Sequence, residues 1–462
     1  MALQKTISPV DGSVYVEREL AGASVVEATL DRAVKAQRAW RDVPVGQRAA
    51  ICRLFCDAFE AKREDIALEL TWQMGRPVRY SGNEVRGTLE RARHMIDIAP
   101  EALADVDAGP KEGFLRFVRR EPLGVVFTVA AWNYPYLIAV NSVVPAIMAG
   151  NAVVLKHSAQ TPLCAERFAE AFRVAGLPDG VFQVLHLSHE DAERVVKDSR
   201  IAFVAFTGSV AGGHAIQHAL AGRFIGAGLE LGGCDPAYVR HDANLAHAVE
   251  NLVDGAFFNS GQSCCGIQRI YVHEKLYEAF VEGAVALTRQ YVLGNPTGEP
   301  VTLGPVVRTS AAEQVRKQIA DSITAGARPA LDESSFAESR RGTPYLAPQL
   351  LLDAHHGTSV MREEIFGPVA GILKVHGDEE AIRLMNDSRF GLTAAVWTED
   401  ADAALAIGDR IETGTWFMNR CDYLDPALAW VGVKDSGRGC TLSRVGYEHL
   451  TRPKSFHLRT RT

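Results

Sequence analysis

Apolar positions near the start of the chain recur at helical spacing: Val26, Leu30, Ala33, Val34 and Trp40 fall on one face of a helix. Ser24 and Glu27, three residues apart just ahead of this run, form a capping box that predicts where the helix begins. A second helical pattern covers 47–74 through Leu54, Phe55, Ala58, Phe59, Ile66 and Leu70, and stops near Gly75 and Pro77. The opening third therefore reads as helical. From Leu123 onward the pattern changes to short apolar runs. Segments 123–130, 152–155, 181–185 and 202–206 read as buried strands, and 163–175 carries a helical pattern between two of them. Such alternation predicts parallel βαβ units. A second alternating region spans about 236–433, with helices near 244–258 and 274–290, and the polar tail 452–462 suits an edge strand. No internal repeat or low-complexity linker interrupts the chain.

A chain of 462 residues exceeds one ordinary core, so two large domains are expected. An apolar share of 47% and a charged share of 23% are those of a soluble globular protein. The net charge of -7 gives no general attraction to nucleic acid or anionic membrane. No apolar run reaches membrane-spanning length, and the first residues lack a basic-then-apolar leader. Cysteines at 52, 56, 164, 234, 264, 265, 421 and 440 include no CxxC pair and no zinc spacing, so no metal site is expected. Cys52 and Cys56 share a helix face as small core residues. Free thiols of this kind suit a reducing, cytoplasmic setting.

Three segments could carry chemistry. The G-x-G-x-x-G turn of many nucleotide-binding chains is missing. Phe206-Thr207-Gly208-Ser209, with Gly212 and Gly213 behind it, sits where a strand gives way to a helix, and such a turn aims N–H groups at phosphate oxygens. A tight turn without a ligand is the alternative. Cys264 follows the Gly261-Gln262 turn in segment 257–265; most free cysteines are simply small buried hydrophobes. Glu230 lies in the apolar, glycine-rich run Leu229-Glu230-Leu231-Gly232-Gly233. Burial there would raise its pKa and suit it to general-base work; a salt-bridged edge carboxylate is the other reading.

Six segments together carry a resemblance. They are Trp132-Asn133-Tyr134-Pro135, Val154-Leu155-Lys156, the 206–209 turn, the 229–233 run, Phe257-x-x-x-Gly261-Gln262-x-Cys264 with Arg269, and Glu363-Glu364-Ile365-Phe366-Gly367-Pro368. In this order and spacing, over nearly the whole length, the chain resembles the aldehyde dehydrogenase superfamily. The resemblance implies an α/β fold of two Rossmann-like domains plus a small bridging β element. The cofactor-binding domain would take 1–112 and 126–233, the catalytic domain 234–442, and the bridging element 113–125 and 443–462. An isolated pair of strands is marginal in water, so a homodimer or homotetramer is expected.

The same resemblance implies the roles. Cys264, rather than its neighbour Cys265, would add to the aldehyde carbon. Asn133 and the Cys264 N–H would hold the oxyanion, and Glu230 would activate the water that releases the acid. NAD or NADP would be held by Trp132, Lys156, Ser158, Ala159, Phe206, Thr207, Gly208, Ser209, Gly213, Leu231, Glu364 and Phe366. NAD-preferring members often carry a glutamate where this chain has Ala159. Losing that acid removes a repulsion from a 2′-phosphate, and Ser158 adds a donor, so NADP+ is expected to be accepted. A glycine pair that often lines the adenine side is also missing, Ser188 and Ala192 standing in its place, and Val431 replaces the first glycine of an aromatic-Gly-Gly run.

The implied substrate wall is Tyr134, Ile138, Asn141, Phe258, Cys265, Tyr423 and Trp430. Many succinic semialdehyde dehydrogenases have arginines at the positions of Asn141 and Phe258, which this chain lacks. Arg438, Arg91 and Arg93 are the other cations placed to grip a distal carboxylate. The run 419–426 with Arg438 resembles a plant and moss-like subgroup associated with succinic semialdehyde. A broad-specificity aliphatic or aromatic aldehyde dehydrogenase is the alternative. A coenzyme A-acylating enzyme and a non-catalytic binding protein on the same scaffold are weaker readings, because Cys264, Asn133 and Glu230 are all present.

Overall fold

The buried apolar runs form two mostly parallel sheets in a computed structural model that describes residues 2–461. Val125–Ala130 is apolar almost throughout and buried on both faces, as a central parallel strand requires. It pairs in parallel with Ala152–His157 on one side and Ile201–Thr207 on the other. Gly226–Glu230 extends the sheet beyond Ile201–Thr207, and Phe182–Val184 closes the opposite edge. The helices Pro135–Ala149 and Pro162–Val174 begin with proline in the first turn, where a missing N–H costs nothing. The second sheet has seven strands; Asp235–Val239, Ile267–His273, Val369–Val375, Thr393–Trp397 and Thr415–Met418 run parallel within it.

One crossing departs from the expected segment boundaries. Gly437–Arg438 leaves the second sheet's stretch of chain and pairs antiparallel with Gly226–Glu230, placing Arg438 opposite Leu229. The return is anchored where the Ser436 hydroxyl donates to the Gly232 carbonyl at 2.7 Å. A third sheet stands apart: Phe114–Pro122 pairs along its length with Thr451–Arg459, with Val106–Asp107 on the other edge. Thr462, the end of the expected edge strand, lies outside the described residues, as does Met1.

The helical reading of the opening third needs correction. Leu3–Ile7 and Val14–Glu19 form an antiparallel hairpin, turned through Gly12 at φ +79° with the Asp11 carboxylate accepting the Ser13 N–H. The first helix, Ala23–Trp40, is capped by Gly22 with no side-chain hydrogen bond, so Ser24 sits inside the first turn and caps nothing. The expected helix 47–74 is two helices, Val45–Glu60 and Arg63–Met74, ended by Gly75 in the left-handed region. The first buries Cys52, Phe55, Cys56 and Phe59, which leaves Leu54 on the far face at 54% exposure. Among the described residues, no helix is long and apolar enough to cross a membrane.

Candidate active site

Strand carboxyl ends in an open parallel sheet leave a crevice where the chain reverses, and the candidate residues gather there. Thr207 and Glu230 end adjacent strands in register. Thr441 donates its hydroxyl to Glu230 Oε1 at 2.6 Å, and Thr207 reaches Oε2 at 3.4 Å. Burial pushes the Glu230 carboxyl above its ordinary pKa, against these two hydroxyls and the more distant charge of Arg91. No cation forms an ion pair with Glu230 among the described residues, so the salt-bridged alternative does not hold.

The segment carrying Cys264 is held in an unusual shape. After helix Leu245–Phe257, Asn259, Ser260 and Gly261 all take positive φ. A side chain at Gly261 would strike the Gly367 carbonyl at 2.1 Å, so only glycine fits. The strain is offset by specific bonds. The Ser260 hydroxyl donates to the Gly304 carbonyl at 2.8 Å, and Gln262 Oε1 accepts the Val307 N–H at 2.7 Å. Behind the turn, buried Arg269 donates to the Cys234, Leu384 and Met385 carbonyls, pinning the strand that follows.

A buried charge network, to which the sequence reading assigned no role, fixes Asn133. Arg76 and Glu84 form an ion pair with side-chain exposures of 2% and 0%. Glu84 Oε1 accepts the Tyr136 N–H at 2.8 Å, and Arg76 donates to the Asn133 carbonyl at 2.5 Å and to Asn259 Oδ1 at 3.0 Å. Asn259 Nδ2 in turn bridges the carbonyls of Asn133 and Gln262. The Asn133 backbone and the thiol's segment are thus locked together. Among the described residues, neither the Asn133 side-chain amide nor the Cys264 N–H enters a hydrogen bond.

Cys264 and Glu230 both line a cavity of about 250 Å³. Tyr134, Ile138, Asn141, Phe258, Cys265, Tyr423 and Trp430 line it as well, as does Arg91. Asn133 is buried next to lining residue Tyr134 without lining the cavity itself. Cys264 is partly exposed, whereas Cys265 is 4% exposed. Arg91 donates to the Leu137 carbonyl at 3.0 Å and to Asn141 Oδ1 at 3.2 Å, both through Nη1. Two of the three arginine candidates fall elsewhere. Arg93 is solvent-facing and paired with Glu60. Arg438 lines an adjoining cavity of about 30 Å³ that shares Ile138, Asn141, Thr207 and Glu230 with the first, its strand running along Gly226–Glu230.

The other candidates flank the crevice. Lys156 is buried, burial lowers its pKa, and it forms no ion pair among the described residues. Ser158 Oγ is turned back to the Gln160 N–H, and exposed Ala159 gives its carbonyl to Thr6. Ser209 caps the helix Val210–Leu220 by accepting the Gly212 N–H. Side chains at Gly208 and Gly212 would meet the Phe206 ring, and one at Gly213 would meet Leu231. These glycines serve the protein's own packing. Ser188 caps helix His189–Lys197, which accounts for serine at that point. Glu364 Oε1 accepts the Gly233 N–H at 3.1 Å, and burial raises its carboxyl to about 7. Phe366, at positive φ, meets Trp132 edge-on with ring centroids 5.6 Å apart.

Arg76, Glu84 and Thr441 give little sequence signal, since each is an isolated polar residue whose partner is remote in the chain. Only the position of Arg76, between the helix-stopping Gly75 and Pro77, hints at a special setting.

The Aldehyde dehydrogenase family profile matches residues 2–456. The NAD(P)+ succinate semialdehyde dehydrogenase Sad of Escherichia coli (strain K12) is 34% identical over 444 residues, covering 96% of this chain and 95% of that one. A probable betaine aldehyde dehydrogenase of Schizosaccharomyces pombe is 32% identical, covering 97% and 91%. The solved structure of succinic semialdehyde dehydrogenase from Streptococcus pyogenes in complex with NADP+ superposes with a TM-score of 0.94 at 27% identity, covering 99% of this chain and 100% of that one.

Proposed function

The chain belongs to the aldehyde dehydrogenase family, and from that premise we propose that it oxidises an aldehyde to its acid with NAD(P)+, succinic semialdehyde to succinate being the best-supported pair. The observation that carries the reading is the shared cavity of Cys264 and Glu230, both partly exposed, one a thiol and the other a carboxylate without a cation partner.

Cys264 Sγ adds to the aldehyde carbon as the thiolate, and the carbonyl oxygen becomes an oxyanion. The unspent Asn133 amide and Cys264 N–H are the donors for it; losing one such donor typically costs about 10²–10³ in rate. The nicotinamide, when bound, accepts the hydride that leaves the tetrahedral carbon. Glu230 then takes a proton from water as that water attacks the Cys264 thioester, and the thiolate departs as the acid forms. Thr441 and Thr207 orient the carboxylate for this.

The donor set fits a dinucleotide. Lys156 offers an unpaired ammonium, the Ser209-capped helix an N-terminus, and Glu364 an oxygen, Oε2, with no protein partner among the described residues. Ala159 leaves the ribose edge without an acid, which supports use of NADP+ as well as NAD+. Trp132 and Phe366 would stand at the nicotinamide end.

Arg91 supports an acidic aldehyde. It is the one arginine of the three candidates on the cavity wall, and its Nε and Nη2 are unspent among the described residues. Names of relatives also include betaine aldehyde, a cationic substrate, so the charge at the far end is what must be tested. A panel of acidic, neutral and cationic aldehydes crossed with NAD+ and NADP+, followed by absorbance of the reduced cofactor, does so. Preference for a cationic aldehyde, or reduction of the cofactor only when coenzyme A is supplied, with acyl-coenzyme A as product, would overturn the reading. The eight free thiols support a reducing cytoplasmic location. The third sheet, with Leu115 and Leu458 half-exposed along it, supports association with a second copy as dimer or tetramer, which the mass in solution tests.

A further inference from the structure

Two adjacent thiols stand at the cavity, and something must decide between them. Asp422 lies in the loop after Thr415–Met418, far from both in sequence. Its Oδ1 accepts from Ser263 Oγ at 3.2 Å and from Cys265 Sγ at 2.9 Å. One carboxylate oxygen therefore holds the residue before Cys264 and the residue after it. The backbone reaches this position through two left-handed residues: Asn419 has φ +55° and Asp422 φ +52°. That conformation is sparsely populated and persists where surrounding contacts require it. They do here. The Asn419 side chain exchanges two hydrogen bonds with the Thr398 backbone, and Tyr423 donates to Glu90 at 3.0 Å.

We propose that Asp422 is a positioning residue that ties Ser263 and Cys265 in place around Cys264 and keeps Cys265 a bound thiol, leaving Cys264 alone to act as the nucleophile. The inference rests on the reading of Cys264 given above. The charges around Asp422 agree with it. Asp422 forms no ion pair among the described residues, since Arg76 nearby is committed to Glu84, Asn133 and Asn259. A carboxylate with no cation of its own makes ionisation of the thiol it touches unfavourable. Accordingly Cys265 is pushed well up, first by its hydrogen bond with Cys264 and by burial, then by Asp422.

The test separates the two claims. C264S should abolish dehydrogenase activity; an active C264S would remove the nucleophile reading itself. In the C264S background, alkylation of Cys265 by iodoacetamide is followed by mass spectrometry of its peptide across pH. Adding D422N removes the charge but not the shape, and should raise the Cys265 rate at pH 8 by about 10-fold, the equivalent of one pKa unit. In the otherwise unaltered chain, D422A, which removes the acceptor oxygen as well, should lower kcat about 10-fold with little change in KM for the aldehyde. An unchanged Cys265 labelling rate, or an unchanged kcat, overturns the proposal. Should either Asp422 variant fail to fold, the S263A/C265A double variant removes both donors and leaves the carboxylate, and retention of full kcat there overturns it equally.

Discussion

Replacing Arg91 with methionine is the sharpest probe of how this cavity reads its substrate. The side chain is buried, and its Nη1 is spent on the Leu137 carbonyl and Asn141 Oδ1. Methionine keeps much of the stem volume and removes the charge and all donors. Two effects should follow, and they differ in which substrates they touch. Losing the bonds to Leu137 and Asn141 disturbs the wall for every aldehyde alike. Losing an arginine–carboxylate contact affects only an aldehyde with a distal acid. Hydrogen bonds to charged groups contribute about 1.5–3 kcal/mol, and about 1.4 kcal/mol is tenfold in affinity. KM for succinic semialdehyde should therefore rise about 10- to 100-fold relative to KM for butanal, measured by initial rates with both aldehydes at saturating cofactor. A second consequence is independent of substrate. Arg91 opposes the rise in the Glu230 pKa, so its removal should push the acid limb of the rate profile to higher pH for both aldehydes. If KM rises equally for the two aldehydes, Arg91 recognises no carboxylate and only supports the wall.

The remaining predictions address the base, the network and the cofactor. E230Q should show a burst of one reduced cofactor per active thiol followed by turnover slower by about 10²–10⁴, the usual contribution of a general base; stopped-flow absorbance without a burst would assign Glu230 another step. In the unaltered enzyme, only ionised Glu230 accepts a proton. Its raised pKa therefore means that activity falls as pH drops through a value above the ordinary carboxylate range of about 4.3, seen in a kcat profile. E84Q strands Arg76 as a buried charge, a loss of about 3–5 kcal/mol, read as lower denaturant midpoint by circular dichroism. A159E should reduce kcat/KM for NADP+ about 10-fold or more while sparing NAD+, by repelling the 2′-phosphate.

The strands that build the first sheet were legible because full burial demands continuous apolar runs, as in Val125–Ala130 and Ala152–His157. The thiol, carboxylate and amide proposed to react were picked out by short motifs whose order survives in the chain. Local periodicity misled at the start, where the hairpin's few alternating residues were overshadowed by the long helices after it. It also joined two helices across Ala61 and Lys62, since their apolar faces continue in nearly the same phase.

What the sequence by itself determined was the fold class and the family, and it put forward the groups proposed to react. What tertiary structure decided was which charges face which cavity. Arg91, Arg93 and Arg438 are equivalent as letters, yet one lines the cavity, one meets Glu60 in solvent, and one is carried to an adjoining cavity by strand pairing. Asp422 and Cys265 are 157 residues apart and share a hydrogen bond. A side chain's local pattern sets its secondary structure, but its electrostatic partner is chosen by packing between elements distant in the chain. No spacing rule carries that information.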